Sequence, residues 1–417
     1  MTDESRARVN VAQAETTTCC VVGGGPAGVI LSLLLARRGV GVTLLEAHDN
    51  FDRDFRGDTI HPSVLELLDE IGLAEGLHKL PHAKIHTGAL MTARGPVTLA
   101  DFRRLKTRFP YIMMLPQKDF LAYVAEEAKR YPSFRLLMGA RAEELIEEGG
   151  VVRGVVYEDD KGRHELRARL TVAADGRGSR LRHLGGFEQV KTSPPMDILW
   201  FRVPRKAEDP EGALAYFGGG HMLVMLNRGE QWQAAYVVLK GSSAQVRAAG
   251  LEALRRNLDE LVPQYAGRFD GLRDWKQVAT LSVESSRVKR WHRPGLLLIG
   301  DAAHVMSPVG GVGINYAIMD AAEAANVLAA PLLEGTLDES RLREVQRRRE
   351  WPTRLIQSIQ TRIQKRVIAA ALDPNNTFRI PLALRLLLSL PGLRDLPARV
   401  IGLGFKRVHV EGGRQRD

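Results

Sequence analysis

The most constraining feature of this chain is a run of glycines set between an apolar strand pattern and a helix pattern. Residues 18–23, Thr-Cys-Cys-Val-Val-Gly, form a short apolar stretch, and Gly23-Gly24-Gly25-Pro26-Ala27-Gly28 satisfies GxGxxG. Residues 26–38 then carry leucines and alanines as far as Gly39, and a second apolar stretch runs over Val40–Glu46. Strand, glycine turn, helix, strand is the opening unit of a doubly wound parallel sheet. In such a turn Gly23 reverses the chain, Gly25 lets backbone approach a pyrophosphate, and Gly28 lets the helix pack closely on the strand. The helix N-terminus then offers unpaired N–H groups to phosphate oxygens. Glu46 ends the second strand 18 residues after Gly28. A carboxylate there accepts hydrogen bonds from both hydroxyls of an unmodified ribose and repels a 2′-phosphate.

Downstream, helices are expected at 62–79 and 117–131 and strands at Arg135–Met138, Val151–Tyr157 and His164–Val172. Between 190 and 290 the pattern changes to aromatic and β-branched runs, Ile198–Val203, Met222–Leu226, Trp232–Leu239 and Ala279–Val288, with one helix at 243–262. That pattern predicts an antiparallel sheet with one exposed face. Leu296–Ile299 returns as a buried strand, followed by a glycine-rich loop and a long alanine-rich helix from Val312 to Leu333. The expected fold class is therefore α/β: a Rossmann-like dinucleotide-binding domain with an inserted antiparallel-sheet substrate domain and a C-terminal helical region. The expected boundaries are a disordered tail at 1–17, the binding domain at 18–189, the inserted sheet at 190–290, the return segment at 291–335 and the helical region at 336–417.

Composition narrows the function classes. The formal net charge is +10, but basic and acidic residues interleave in helix-like segments such as 339–367, which reads as a solvated face rather than a nucleic-acid surface. Adjacent Cys19 and Cys20 offer neither a disulfide framework nor a metal spacing, so no metal is expected and a reducing, cytoplasmic setting is. Residues 1–16 lack the pattern of a secretory signal. No charge-free apolar run reaches 18 residues; the nearest, Ile380 to Leu393, holds Arg385 and two prolines and is expected as a packed helix.

Two further elements repeat the strand-then-loop arrangement: Ala174-Asp175-Gly176-Arg177-Gly178-Ser179-Arg180, and Gly300-Asp301-Ala302-Ala303-His304 about 125 residues later. With the glycine turn, these three motifs in this order make the chain resemble the flavoprotein aromatic hydroxylases, of which para-hydroxybenzoate hydroxylase is the type. The resemblance spans residues 18–335. It implies FAD, with Gly23, Gly25, Pro26, Ala27, Gly28 and Glu46 holding its ADP half and Asp301 its ribityl chain. Pro308-Val309-Gly310-Gly311-Val312-Gly313-Ile314-Asn315 would run along the isoalloxazine ring, with Pro308, Gly311, Gly313, Ile314 and Asn315 as contacts. Arg56, with Arg53 nearby, looks like the family's phosphate arginine, and Gln117 fits its glutamine against the FAD chain. Asp175 would serve FAD and nicotinamide, or simply build an Asp-Gly turn.

The resemblance further implies that NADH or NADPH delivers hydride to the flavin, that dioxygen follows, and that one oxygen atom reaches a small apolar or aromatic substrate. The cofactor carries the difficult chemistry, which accounts for the lack of a triad. His61 and His304 attract attention as acid–base groups, His304 more as a structural residue. Trp200, Tyr216, Phe217, His221, Met222, Met225, Trp232 and Tyr236 offer a substrate surface or a core, and Tyr216 and His221 are candidates to orient or deprotonate a phenol. Two other classes remain open: a flavoprotein reductase or dehydrogenase acting on an isoprenoid or other apolar substrate, and a flavin redox sensor without turnover. A monomer or homodimer is expected.

Overall fold

The computed structural model describes residues 15–52, 58–92, 95–192, 194–373, 382–390 and 392–412. Its first sheet is parallel at its centre. The strand Glu15–Val22 pairs in parallel with Val42–Leu45 on one side and Gly162–Ala173 on the other, Cys19 facing Val42 and Leu170. Phe134–Leu137 extends the sheet beyond Val42–Leu45, and Leu296–Leu298 pairs with Gly162–Ala173. An antiparallel hairpin, Arg141–Glu148 and Val151–Asp159, hangs on Gly162–Ala173. Central parallel strands are buried on both faces, which is why Cys19–Val21 and Leu296–Leu298 read as continuous apolar runs and are solvent-inaccessible. Both cysteines are free, buried core thiols, and burial pushes the Cys19 thiol up to about 12.

The helices Pro26–Arg37 and Gly313–Glu334 pack on this sheet and on each other through small residues. The Ala-rich face of the second lets it approach closely, and residues Ala321, Ala322, Ala324 and Ala325 are fully buried.

The second sheet runs in the order Ala279–Leu281, Met196–Pro204, Gln231–Leu239, His221–Asn227, Ala213–Gly218, Thr87–Thr92, Gly95–Asp101. Its last two strands come from well before residue 190, so the inserted sheet is not confined to 190–290. The junction of Ala213–Gly218 with Thr87–Thr92 is its one parallel pairing. The hairpin at 87–101 escapes sequence reading because Gly88, Gly95 and Pro96 break the β pattern.

Other departures have equally local causes. The first strand begins at Glu15, inside the stretch expected as a tail; residues 1–14 lie outside the described residues. The helix expected at 62–79 is two, Pro62–Glu70 and Ala74–Lys79, parted at Gly72 (φ 80°). That at 243–262 is parted at Gly250 (φ 90°) into Ser243–Ala248 and Leu251–Leu261. Positive φ is the glycine signature of a helix stop. The run 279–288 divides between two sheets, its second half, Ser285–Val288, pairing with Gln189–Thr192 and His304–Val305.

Beyond the long helix Glu339–Ile363 the chain makes a π turn at Gln364–Ile368 and later helices at Leu382–Ser389 and Leu396–Leu403. Of the packed helix expected over 380–393, Leu387 and Leu388 are half-buried while Leu386, Leu390 and Leu393 are exposed; residues 380, 381 and 391 lie outside the described residues. No helix among the described residues is long and apolar enough to cross a membrane.

Candidate active site

The glycine turn takes the conformation its spacing predicts. Gly23 has φ 105°, and a Cβ on Gly28 would collide with the Gly23 carbonyl oxygen. Pro26 occupies the first turn of Pro26–Arg37, and Gly25 at its N-cap provides no side-chain hydrogen bond, so the leading N–H groups are left for a ligand. Glu46, 2% exposed, lies beside the turn: its Oε2 accepts the Gly24 N–H at 2.7 Å and its Oε1 accepts the His48 N–H at 3.0 Å.

The segment Gly300–His304 meets the glycine turn at Gly300. A Cβ on Gly300 would stand 3.2 Å from the Ala27 Cβ and 3.3 Å from the Ala317 Cβ, so the leading turns of both packed helices pass this residue. The helix Gly313–Glu334 also begins without a side-chain cap. Asp301 is thus carried between two uncapped helix N-termini, a setting that favours anionic groups and reduced, negatively charged rings. This arrangement, with a backbone opened by Gly310 (φ 81°) and Gly311 (φ 63°), fits a dinucleotide that ends in a flat ring.

Asn315 performs a different task from the contact expected of it. Its Oδ1 accepts the His61 N–H at 2.8 Å, and its Nδ2 donates to the carbonyls of Thr59 at 3.0 Å and Gly311 at 3.2 Å. The side chain straps the glycine loop to the strand Thr59–Ile60, leaving only its backbone for a cofactor. His61 is fully enclosed. Its Nδ1 faces the Ile401 carbonyl at 2.7 Å, which can only accept, so the proton sits on Nδ1 and Nε2 is a lone pair. That Nε2 is buried without a partner and would stand 3.6 Å from a Cβ on Gly311. Burial lowers the ring's pKa to about 4, so the imidazole is neutral at ordinary pH.

His304 is structural. Its Nε2 donates to Asp320 Oδ2 at 2.5 Å, Arg349 Nε donates to Asp320 Oδ1 at 2.8 Å, and the Gly300 N–H donates to Asp320 Oδ2 at 3.1 Å. Burial raises the pKa of Asp320, but the charges of His304 and Arg349 outweigh it and hold the carboxyl ionised. This enclosed cluster fixes Gly300, and with it Asp301. Sequence reasoning missed Asp320 and Arg349; the available signal was a charged residue in each of two otherwise buried helix faces.

Asp175 caps its own turn, accepting the Ser179 hydroxyl at 2.5 Å and the Leu181 N–H at 3.1 Å, and burial raises its pKa. Gln117 opens the helix Gln117–Lys129, and its N–H donates to Asp58 Oδ1 at 3.1 Å. Asp58 Oδ2 pairs at 2.5 Å with Nη1 of Arg228, in the turn that follows His221–Asn227 of the second sheet, joining the two sheets' territories through a half-buried ion pair. Burial nevertheless raises the Asp58 pKa more than Arg228 lowers it. Arg53 and Arg56 lie outside the described residues.

Strand alternation divides the aromatic candidates between two faces. Tyr216 and Tyr236 belong to the cluster with Leu223, Met225 and the helix residues Leu254 and Leu258, and Tyr216 shares a hydroxyl contact of 3.1 Å with Tyr265. His221 stacks on Tyr236 on that same side. Neither Tyr216 nor His221 therefore faces the glycine loop, which corrects both as acid–base candidates. The opposite face carries Ile198, Trp200, Met222 and Val237, and Val309 of the glycine loop packs into that cluster. The Trp200 indole N–H is buried there without a partner.

A family described as FAD binding domain matches residues 15–358. The chain is 34% identical over 379 residues to a 6-methylpretetramide 4-monooxygenase of Streptomyces rimosus, covering 90% of each. It is 26% identical over 337 residues to a para-nitrophenol 4-monooxygenase of a Pseudomonas species, covering 75% of this chain and 79% of the other. Among solved structures, the anhydrotetracycline hydroxylase of Streptomyces rimosus superimposes with a TM-score of 0.75 at 24% identity, over 93% of this chain and 76% of that one, a likeness of fold. The chain thus belongs to the FAD-dependent, para-hydroxybenzoate hydroxylase-like flavoprotein monooxygenases.

Proposed function

We propose that this FAD-dependent monooxygenase hydroxylates a small aromatic or polyketide-like substrate, held between the loop Pro308–Asn315 and the sheet face of Ile198, Trp200, Met222 and Val237. The observation that carries the reading is the packing of Val309, from the cofactor loop, into that apolar face. A flat apolar substrate fits such a surface, and the partnerless Trp200 N–H gives it a hydrogen-bond donor with which to fix orientation. The relative whose name specifies a methylpretetramide supports the polycyclic end of the substrate class.

Glu46 would receive the ribose hydroxyls, Gly23, Gly25, Pro26, Ala27 and Gly28 the pyrophosphate, and Asp301 the ribityl chain. Gly311, Gly313, Ile314 and the Asn315 backbone would lie against the ring edge, with Pro308 opening that loop, and the His61 Nε2 lone pair would accept a proton donor there. FAD, when bound, supplies hydride acceptance and oxygen activation. The protein's own share is to orient the substrate and exclude water. Asp175 would act on FAD through the turn that it caps, and Gln117, at the start of the helix Gln117–Lys129, would contact the FAD chain. We assign the first parallel sheet and its helices to FAD and the second sheet to substrate. Two reduced, buried thiols support a cytoplasmic setting.

The test is anaerobic mixing with NADH and NADPH, with and without a panel of phenols and polycyclic aromatics, followed by air. Flavin bleaching and a product that has gained one oxygen atom are expected. Bound FAD that neither nicotinamide reduces with any of these compounds would overturn the reading in favour of a reductase or a sensor.

A further inference from the structure

A cleft of about 460 Å³ lies between the strand Ser285–Val288 and the far end of the helix Glu339–Ile363, where the chain passes into the π turn Gln364–Ile368. Five cations line it, Arg287, Arg354, Arg362, Lys365 and Arg366, and no carboxylate does. Arg354 has an acidic partner, Glu350, at 3.7 Å; the other four make no ion pair among the described residues. Arg354, Ser358, Arg362 and Arg366 follow one another at four-residue steps, so they share a helix face where like charges repel. The π turn widens the helix there, a feature that often accompanies a functional site. Unpaired guanidinium groups concentrated in a concave site, with hydroxyls interleaved, match the geometry of phosphate oxygens.

The same helix holds the cofactor loop. Gln357 Nε2 donates to the Ser286 and Val305 carbonyls at 2.9 and 3.0 Å, and Gln360 Nε2 donates to those of Ser307 and Val309 at 2.9 and 2.8 Å. Gln364 Nε2 reaches the Ser307 hydroxyl. The cationic cleft is therefore braced directly against the segment that leads into Pro308. We infer that this cleft binds the diphosphate of the reduced nicotinamide dinucleotide, placing the co-substrate's charged half on the far side of the loop from the ADP half of FAD. The inference rests on the proposal that a nicotinamide reduces this enzyme.

The experiment uses the FAD-loaded enzyme and two variants, Arg362→Gln/Arg366→Gln and Arg287→Gln. Calorimetric titration with ADP-ribose and with inorganic pyrophosphate is run beside rapid-mixing reduction by NADH and NADPH. ADP-ribose is expected to bind competitively with the dinucleotide. The double variant should raise both dissociation constants at least about tenfold, the loss expected when charge-assisted bonds are removed. FAD content, melting temperature and the limiting reduction rate should stay unchanged. Wild-type affinity for ADP-ribose in both variants overturns the inference, as does a cleft that binds pyrophosphate but not ADP-ribose. ADP-ribose binding needs no hydride transfer, so the two proposals fail separately. An enzyme that is not reduced, yet loses ADP-ribose in the variants, sinks the monooxygenase reading and leaves the cleft. An enzyme reduced with no dependence on these cations does the reverse.

Discussion

At the scale of single residues, His61 makes the sharpest prediction. It is buried neutral, with its pKa lowered from 6.5 to about 4 by desolvation. The unfolded chain takes up a proton through its ordinary pKa while the folded chain does not, so the stabilisation is present above pH 6.5 and is lost as pH falls towards 4. The loss from this one group is about 3 kcal/mol by the usual 1.4 kcal/mol per unit. Urea unfolding between pH 7 and pH 4 should show this slope in the native enzyme and a shallower one in His61→Gln; equal slopes would remove His61 as the cause. Gly28→Ala tests the glycine turn in another way. The new methyl meets the Gly23 carbonyl oxygen, a backbone atom that cannot swing aside, so the variant is expected to purify without its flavin absorbance. Both glycines were legible because their demands are made by the backbone. The role of His61 was not, because its partner Ile401 stands 340 residues away.

At the scale of elements, the two-residue period of a strand decides which side chains reach the substrate. Tyr216 points to the helix side of the second sheet, where its hydroxyl meets Tyr265, and Trp200 points to the side that Val309 covers. Tyr216→Phe should therefore leave kcat and KM within about twofold of native values, since it removes one hydroxyl contact remote from the site. Trp200→Phe keeps the apolar body and removes the lone donor, so substrate KM should rise by about tenfold, the order of one hydrogen bond. Steady-state kinetics on the best substrate of the aromatic panel separates the two, and the opposite ranking would reverse the assignment of faces. The strands themselves were readable wherever apolar alternation was uninterrupted, as in Trp232–Leu239. Which face was which was not readable, because the alternation at 213–226 is apolar on both sides: Phe217 and Met222 on one, Tyr216 and Leu223 on the other. The hairpin at 87–101 was hidden by its glycines, and its place in the second sheet depends on a parallel pairing with a strand more than a hundred residues later.

At the scale of the whole molecule, the described C-terminal residues pack against elements of both sheets' territories. Ala398 and Leu403 of the helix Leu396–Leu403 join a cluster with Ile85, Ala100, Phe102 and Met114, and the Ile401 carbonyl holds His61. Further on, the Val410 N–H donates to Glu70, and the carbonyls of His409 and Glu411 accept from Asn326 and Arg38. The chain thus closes over the helix Pro62–Glu70, which His61 precedes, and holds His61 from outside. Gly402 is where the closure is tightest: a Cβ there would stand 2.9 Å from Leu105 Cδ1 and 3.3 Å from both Phe102 and Pro62. Gly402→Val therefore pushes the helix outward and should cost about 1–3 kcal/mol of stability, the range for overpacking a core. Because the displaced carbonyl is the one that positions His61, the same variant should release flavin at lower temperature than the native enzyme. Leu386→Gln, on a helix whose Leu386 is 55% exposed, should change neither property. Flavin fluorescence followed during thermal unfolding reads both events in one experiment. If Gly402→Val melts early but keeps its flavin until the protein unfolds, the C-terminal helix stabilises the fold without shaping the site. Flavin release ahead of unfolding makes it a wall of the active site.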